Sequence, residues 1–219
     1  MAARNRVTPL GEIVAIDQRG TFMGNRGCIH RDPGEIARPW QVRRWITCQL
    51  EYKGWVAPKW LPGRWTALFF WDEAVALAAG HRPCALCRRP AYNAWLDAWE
   101  AAFGHRPRAD PMDDRLHADR LDGRTPRRHG RAWSELPVGA FALVGQAPAL
   151  VLADRLVPWS PDGYGPPRNR PARGDALVLT PRATVEVITH GYDPALHPST
   201  SSTSTSGPHE GTTPETPDQ

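Results

Sequence analysis

The sequence predicts an α+β protein, on three observations. Short β-compatible runs broken by Gly and Pro fill the first seventy or so residues. Two helical patterns follow between residues 72 and 103, and β-compatible runs return from residue 140 before a last helical pattern near the end. The first half reads as strands and turns and then helices, and no βαβ pattern brackets the Cys84–Cys87 segment. With 219 residues, 41% of them hydrophobic, the chain can bury a sizeable core, so fibrous and wholly disordered classes are excluded.

In order along the chain, Gly11–Ile16 reads as a short strand. Val42–Tyr52 reads as a longer one, turned by Lys53-Gly54, with Trp55–Trp60 pairing back against it. Leu61-Pro62-Gly63-Arg64 is a turn, and the apolar run Trp65–Trp71 leads into a helix over Asp72–Ala79. That helix carries Asp72 and Glu73 in its first turn and ends at Gly80. A second helix, Ala91–Phe103, sets Trp95 and Trp99 four apart on one face. A short helix opened by Asp110-Pro111 lies between two Arg-, Pro- and Asp-rich stretches. Beyond it, 140–144 and 149–152 form a hairpin around Gly145-Gln146-Ala147-Pro148, and 156–159 and 176–180 are further strands. Thr180 caps a last helix with Pro181 at its first position, ending at Gly191. The expected division is a metal-binding unit over 1–105, a β-rich unit with a terminal helix over 106–198, and a Ser/Thr/Pro-rich disordered tail over 199–219.

No stretch reads as a membrane span: the longest uncharged run, Leu136–Ala153, is interrupted by prolines and glycines. The polar first twenty residues show no secretory signal, so a cytoplasmic, reducing location is expected. The net charge is +4, and it resides in the first half: residues 1–108 hold 16 Lys+Arg against 9 Asp+Glu, residues 109–198 hold 11 of each. All bases but Lys53 and Lys59 are Arg. An Arg-biased genome explains this as well as phosphate recognition does, and composition alone does not separate them.

The strongest chemical signal is Cys84-Ala85-Leu86-Cys87, placed after a helix-ending Gly80-His81-Arg82-Pro83. Two thiols at this spacing can grip one metal ion, and Arg82, Arg88 and Arg89 favour the thiolate form. The other cysteines, Cys28 and Cys48, lie upstream. A zinc site of Cys48, Cys84 and Cys87 completed by Cys28 or His30 is expected; a redox pair or two disulfides are the competing readings. Cys28, in a Gly-rich loop with Arg26 and Arg31, is the thiol expected to react with alkylating agents.

The run Leu68-Phe69-Phe70-Trp71-Asp72-Glu73-Ala74, together with Gly80-His81-Arg82-Pro83-Cys84-Ala85-Leu86-Cys87-Arg88-Arg89-Pro90, resembles the zinc-binding, methylphosphotriester-repair domain of the Ada DNA repair family. The resemblance implies an Ada-like module in which Cys84 and Cys87 supply two of four zinc thiolates. That family draws its other two from a closely spaced Cys pair, one of which accepts the methyl group. Here Cys48 stands alone on a comparable strand, so the resemblance carries the ligand role better than the methyl-acceptor role. The Met23-Gly24-Asn25-Arg26-Gly27 loop, the Cys segment and the Trp-rich β half are also similar to a wider bacterial group.

Arg43, Arg44 and Trp45, then Trp55, Lys59, Trp60, Arg64 and Trp65, interleave cations with aromatics. Such hardware stacks bases and neutralises phosphates, although Trp on strands is commonly core. Arg26, Arg43, Arg44, Arg88 and Arg89 are the candidate nucleic-acid contacts. Asp113 and His117 share a helix face, so a carboxylate-oriented His acting as general base is a second candidate site. These patterns imply nucleic-acid binding, with DNA as partner and repair as setting. The alternatives are a hydrolase or lyase using His117 and Asp113, and a structural interaction module.

Overall fold

A computed structural model describes residues 2–201. The first sheet is built from β1 (Arg4–Val7), β2 (Ile13–Ala15), β3 (Phe22–Asn25) and β4 (Ile46–Cys48). A small hairpin, β5 (Glu51–Tyr52) and β6 (Trp55–Val56), stands off it before β7 (Leu68–Phe70). Helix α1 (Glu73–Ala78) and β8 (Arg82–Pro83) follow. The sheet order is β2-β1-β7-β3-β4-β8, with β1/β7 and β4/β8 parallel and the other pairs antiparallel. Gly24 permits the close pairing of β3 and β4, since a Cβ there would sit 2.0 Å from the Ile46 carbonyl oxygen.

Helices α2 (Arg89–Phe103) and α3 (Ala109–Arg120) come next. After them are a hairpin of β9 (Leu121–Asp122) and β10 (Thr125–Pro126), then β11 (His129–Ala132). The second sheet adds β12 (Phe141–Val144), β13 (Ala147–Val151), β14 (Arg155–Ser160), β15 (Gly163–Tyr164), β16 (Arg168–Asn169) and β17 (Asp175–Val178), before α4 (Arg182–Thr189). It runs β11-β17-β12-β13-β14-β15, with β16 also on β14, and is antiparallel throughout. The α+β class is therefore the observed one.

The change near residue 106 is a change of sheet and not a gap in the core. Leu68 and Phe70 of β7 and Ala74, Val75 and Ala78 of α1 share one apolar cluster with Phe141 and Leu143 of β12 and Val157 of β14. A second cluster joins Trp95 and Trp99 of α2 to Met112 and Leu116 of α3 and Val187 and Ile188 of α4. Asp72 caps α1, its Oδ1 accepting from the Val75 N–H at 2.9 Å; its Oδ2 accepts from the Tyr164 hydroxyl at 2.8 Å. Glu73 is buried and bound to Arg88 at 2.7 Å, and it also accepts from the Tyr192 hydroxyl and the Ala195 N–H. Both acids of the expected first turn thus fasten the second half to the first.

Several expected elements are shorter or differently held. The expected Val42–Tyr52 strand is broken into Ile46–Cys48 and Glu51–Tyr52, and its first residues are not strand, since Trp45 turns inward and donates its ring N–H to the Val42 carbonyl at 2.9 Å. Thr180 does not cap α4: its hydroxyl accepts from the Phe141 N–H at 2.8 Å, and Pro181 occupies the cap position. The expected tail begins inside the fold, where Pro198–Thr200 form a short 3-10 turn with Thr200 buried. The rest of that tail, 202–219, lies outside the described residues. Among the described residues no helix is long and apolar enough to cross a membrane.

Candidate metal centre and cationic surface

The parallel pairing of β4 and β8 builds the thiol site. Ile46 sits opposite Arg82 and Thr47 opposite Pro83, and the Cys84 N–H continues the ladder to the Thr47 carbonyl at 2.8 Å. That register sets Cys84 beside Cys48. The tight turn that follows returns Cys87 to the same point, with the Arg88 N–H on the Cys84 carbonyl at 3.2 Å and the Leu86 N–H facing the Cys84 Sγ at 3.4 Å. The three Sγ atoms all lie within 4.8 Å of one another. Hydrogen bonds from Cys48 and Cys87 push the Cys84 thiol down to about 2. The bonds to Cys84 and Cys87, reinforced by burial, push Cys48 up.

The triad can hold a metal ion. Its three sulfurs converge on one point, and a tetrahedral ion with sulfur ligands at about 2.3 Å needs sulfurs roughly 3.8 Å apart. Cys48 and Cys84 are buried and Cys87 is half-buried, so the site is reached from the Cys87 side. Met23, Ala57 and Ala67 pack around it with Trp65.

Cys28 and His30 stand outside this group. The His30 Nδ1 is 2.6 Å from the Thr66 hydroxyl, and its ring meets Trp60 edge-on at 5.5 Å. The Cys28 N–H donates to the Gln41 side chain at 2.7 Å, and its thiol is not part of the sulfur group. The structure thus assembles three of the five expected ligands, and neither candidate for the fourth is among them.

The expected His–Asp pair is not assembled either. Asp113 gives both carboxylate oxygens to Arg82, at 2.8 and 2.7 Å, with Arg44 at 3.6 Å. His117 instead packs edge-on against Trp40 and Trp45, at 5.5 and 6.0 Å. Burial, then Arg120 and Arg43, lower its pKa. Sharing a helix face brought the two residues near, but a buried bidentate guanidinium outcompetes an imidazole for the carboxylate.

The candidate phosphate contacts separate by burial. Arg88 is buried on Glu73, with its Nη1 also 2.9 Å from the Thr47 hydroxyl, so it serves the fold and not a surface. Arg43 and Arg44 are exposed but face Asp114 at 2.9 Å and Asp110 at 3.1 Å. Arg89 is exposed at the start of α2. Arg26 is buried 4.1 Å from the Trp45 ring. Arg120, which the sequence places on the Asp113–His117 helix face and not among the phosphate contacts, is buried 4.5 Å from the same ring. The signal for it was an arginine falling on the otherwise apolar Met112–Leu116 stripe at four-residue spacing.

Outside that list lies the hairpin arm. Trp55 is 52% exposed and packs on Trp65 at 5.9 Å. Lys59 and Arg64, exposed on the same arm, carry no ion pair among the described residues.

Fold and site together define an α+β protein with a cluster of three cysteines that could hold a metal ion. No family model, no curated protein and no solved structure matches the chain, so the Ada-like reading rests on residues 68–90 alone.

Proposed function

We propose that the chain is a zinc-binding protein that holds single-stranded nucleic acid, DNA in the first instance, on the arm formed by residues 50–67. The observation that carries this is exposed Trp55, packed on half-buried Trp65, beside Lys59 and Arg64, which carry no ion pair among the described residues. Bases stack on the tryptophans while Lys53, Lys59 and Arg64 meet phosphates. Zinc is the ion that best suits a set of thiolates in a reducing setting. It braces the arm, because Ala57 in its middle and Ala67 at its end pack on the thiol cluster. Repair is a setting consistent with such a surface.

The enzyme alternative has no observation in its favour, since the carboxylate meant to orient His117 is held by Arg82. Fluorescence titration of the metal-loaded chain with a short oligonucleotide tests the proposal. Trp55 quenching and an affinity that falls steeply with salt are expected. Binding that is absent, or insensitive to both salt and Trp55→Ala, would overturn it.

A further inference from the structure

A second site lies away from the thiols. A cavity of about 220 Å³ opens between the first sheet, α1, α3 and the β9–β10 hairpin. Its walls are apolar, including Leu10, Trp40, Trp45 and Leu179, but its charge is one-sided. Arg26, Arg120, Arg124, Arg127 and Arg128 line it against the single carboxylate of Glu12.

Two of these arginines are unusual. Arg26 and Arg120 are 3% and 2% exposed, and neither has an ion pair among the described residues. Arg26 donates from Nε to His81 Nε2 at 3.3 Å and from Nη1 to the Gly11 carbonyl at 3.1 Å. Arg120 donates to the Leu116 carbonyl at 2.9 Å and, more weakly, to that of Arg43 at 3.4 Å. Each Nη2 is buried without a hydrogen-bond partner.

Two buried like charges with free donors are costly unless something anionic completes them. Neutral partners do not: burial holds the His81 pKa well below its ordinary value, so its ring accepts a hydrogen bond but brings no negative charge. Trp45 faces both guanidiniums and offsets part of the charge, leaving the amino ends free. Gly80, at φ +84° with Arg120 side-chain atoms 2.9 Å from where a Cβ would stand, is the small residue that lets Arg120 lie in this position.

We propose that this cavity binds a phosphate monoester carried on a small apolar or aromatic body, with its phosphate on the Arg26 and Arg120 side chains that line it and that still have a donor to give. Two guanidiniums at the floor and exposed Arg124, Arg127 and Arg128 at the mouth suit a dianion better than a carboxylate. Leu10, Trp40 and the flanking prolines supply the surface for the body. The site is independent of the nucleic-acid reading of the hairpin arm and stands if that reading fails.

Calorimetric titration of the full metal-loaded chain with phenyl phosphate, inorganic phosphate, phenol and benzoate tests this. One phenyl phosphate per chain is expected, bound at least tenfold more tightly than inorganic phosphate, with no heat from phenol. R120M and R26M should each weaken it thirtyfold or more. R120M should also raise the melting temperature of the free protein, a gain that a purely structural arginine would not show. R128A, at an exposed position, should weaken binding two- to tenfold and keeps the test open if the buried variants fold poorly. A 5′-phosphorylated trinucleotide binding more tightly than phenyl phosphate assigns the phosphate to a strand end, and weaker binding assigns it to a small molecule; either keeps the phosphate assignment. No binding of phenyl phosphate at millimolar concentration, equal binding of benzoate, or unchanged affinity in R128A and in folded R120M and R26M would overturn it.

Discussion

Arg82 and Asp113 meet in a buried, two-pronged ion pair, Nε to Oδ1 at 2.8 Å and Nη2 to Oδ2 at 2.7 Å. The pair ties the strand that feeds the thiol cluster to α3, so the helix following residue 106 is locked to the metal-binding half. Removing one partner strands the other charge in the core. D113A is expected to cost about 3–5 kcal/mol in urea unfolding. The double variant R82M/D113L should recover much of that loss. A D113A protein of wild-type stability would show that the pair does not join the two parts.

Metal content is the second expectation. Purified protein should carry one zinc per chain, and C84S should lose it together with a large part of its stability, since structural zinc contributes on the order of 10 kcal/mol to folding. C28S and H30A should retain the metal, because neither side chain joins the triad. Mild alkylation followed by mass spectrometry should modify Cys28 first with zinc retained. Modification of Cys48 first would revive a reactive metal-bound thiolate.

On the hairpin arm, W55A should weaken oligonucleotide binding by about 1–3 kcal/mol, the usual value of one base stacked on an aromatic ring. K59A and R64A should each flatten the salt dependence by about one phosphate contact. R43A and R44A should change it less, because Asp114 and Asp110 already oppose those charges. Equal effects from all four cations would place the strand across α3 instead.

Acid should destabilise the fold through His81. Burial, then the charges of Arg26 and Arg120, hold its folded pKa well below 6.5, whereas the unfolded chain protonates near that value. The unfolded state therefore binds the extra proton first, and stability is lost as pH falls through 6.5 towards the folded pKa. The slope is up to about 1.4 kcal/mol per pH unit from this residue. H81Q, which keeps an acceptor for Arg26, should flatten the loss between pH 6.5 and 5.5 in urea titrations. An unchanged slope would assign the acid sensitivity to other groups.

Much of the local structure was legible in the sequence. Asp72 before an Ala-rich run ending at Gly80 announced α1, and Trp95 and Trp99 at four-residue spacing announced the buried face of α2. Two short apolar runs flanking Gly145-Gln146-Ala147-Pro148 announced the β12–β13 hairpin. Cys84 and Cys87 were readable as a pair because their geometry is made within four residues. These features depend on dihedral preference, capping and period, which act over a turn or two of chain.

What only the tertiary structure decided is which partner each polar side chain met. Spacing along α3 put Asp113 and His117 on one face, yet Arg82, distant in sequence, takes the carboxylate. Arg88 looked like a surface cation beside the thiols and is a buried partner of Glu73. Cys48 joined the metal group, and Cys28 and His30 did not, through the β4–β8 register and the contacts of Thr66 and Gln41. Arg26 and Arg120, which carry no ion pair among the described residues, came together only when α3 was laid against Trp45. Ion pairs, metal sites and cavities are made by groups far apart in the chain, and their energies depend on burial and distance, which pattern along the chain does not encode.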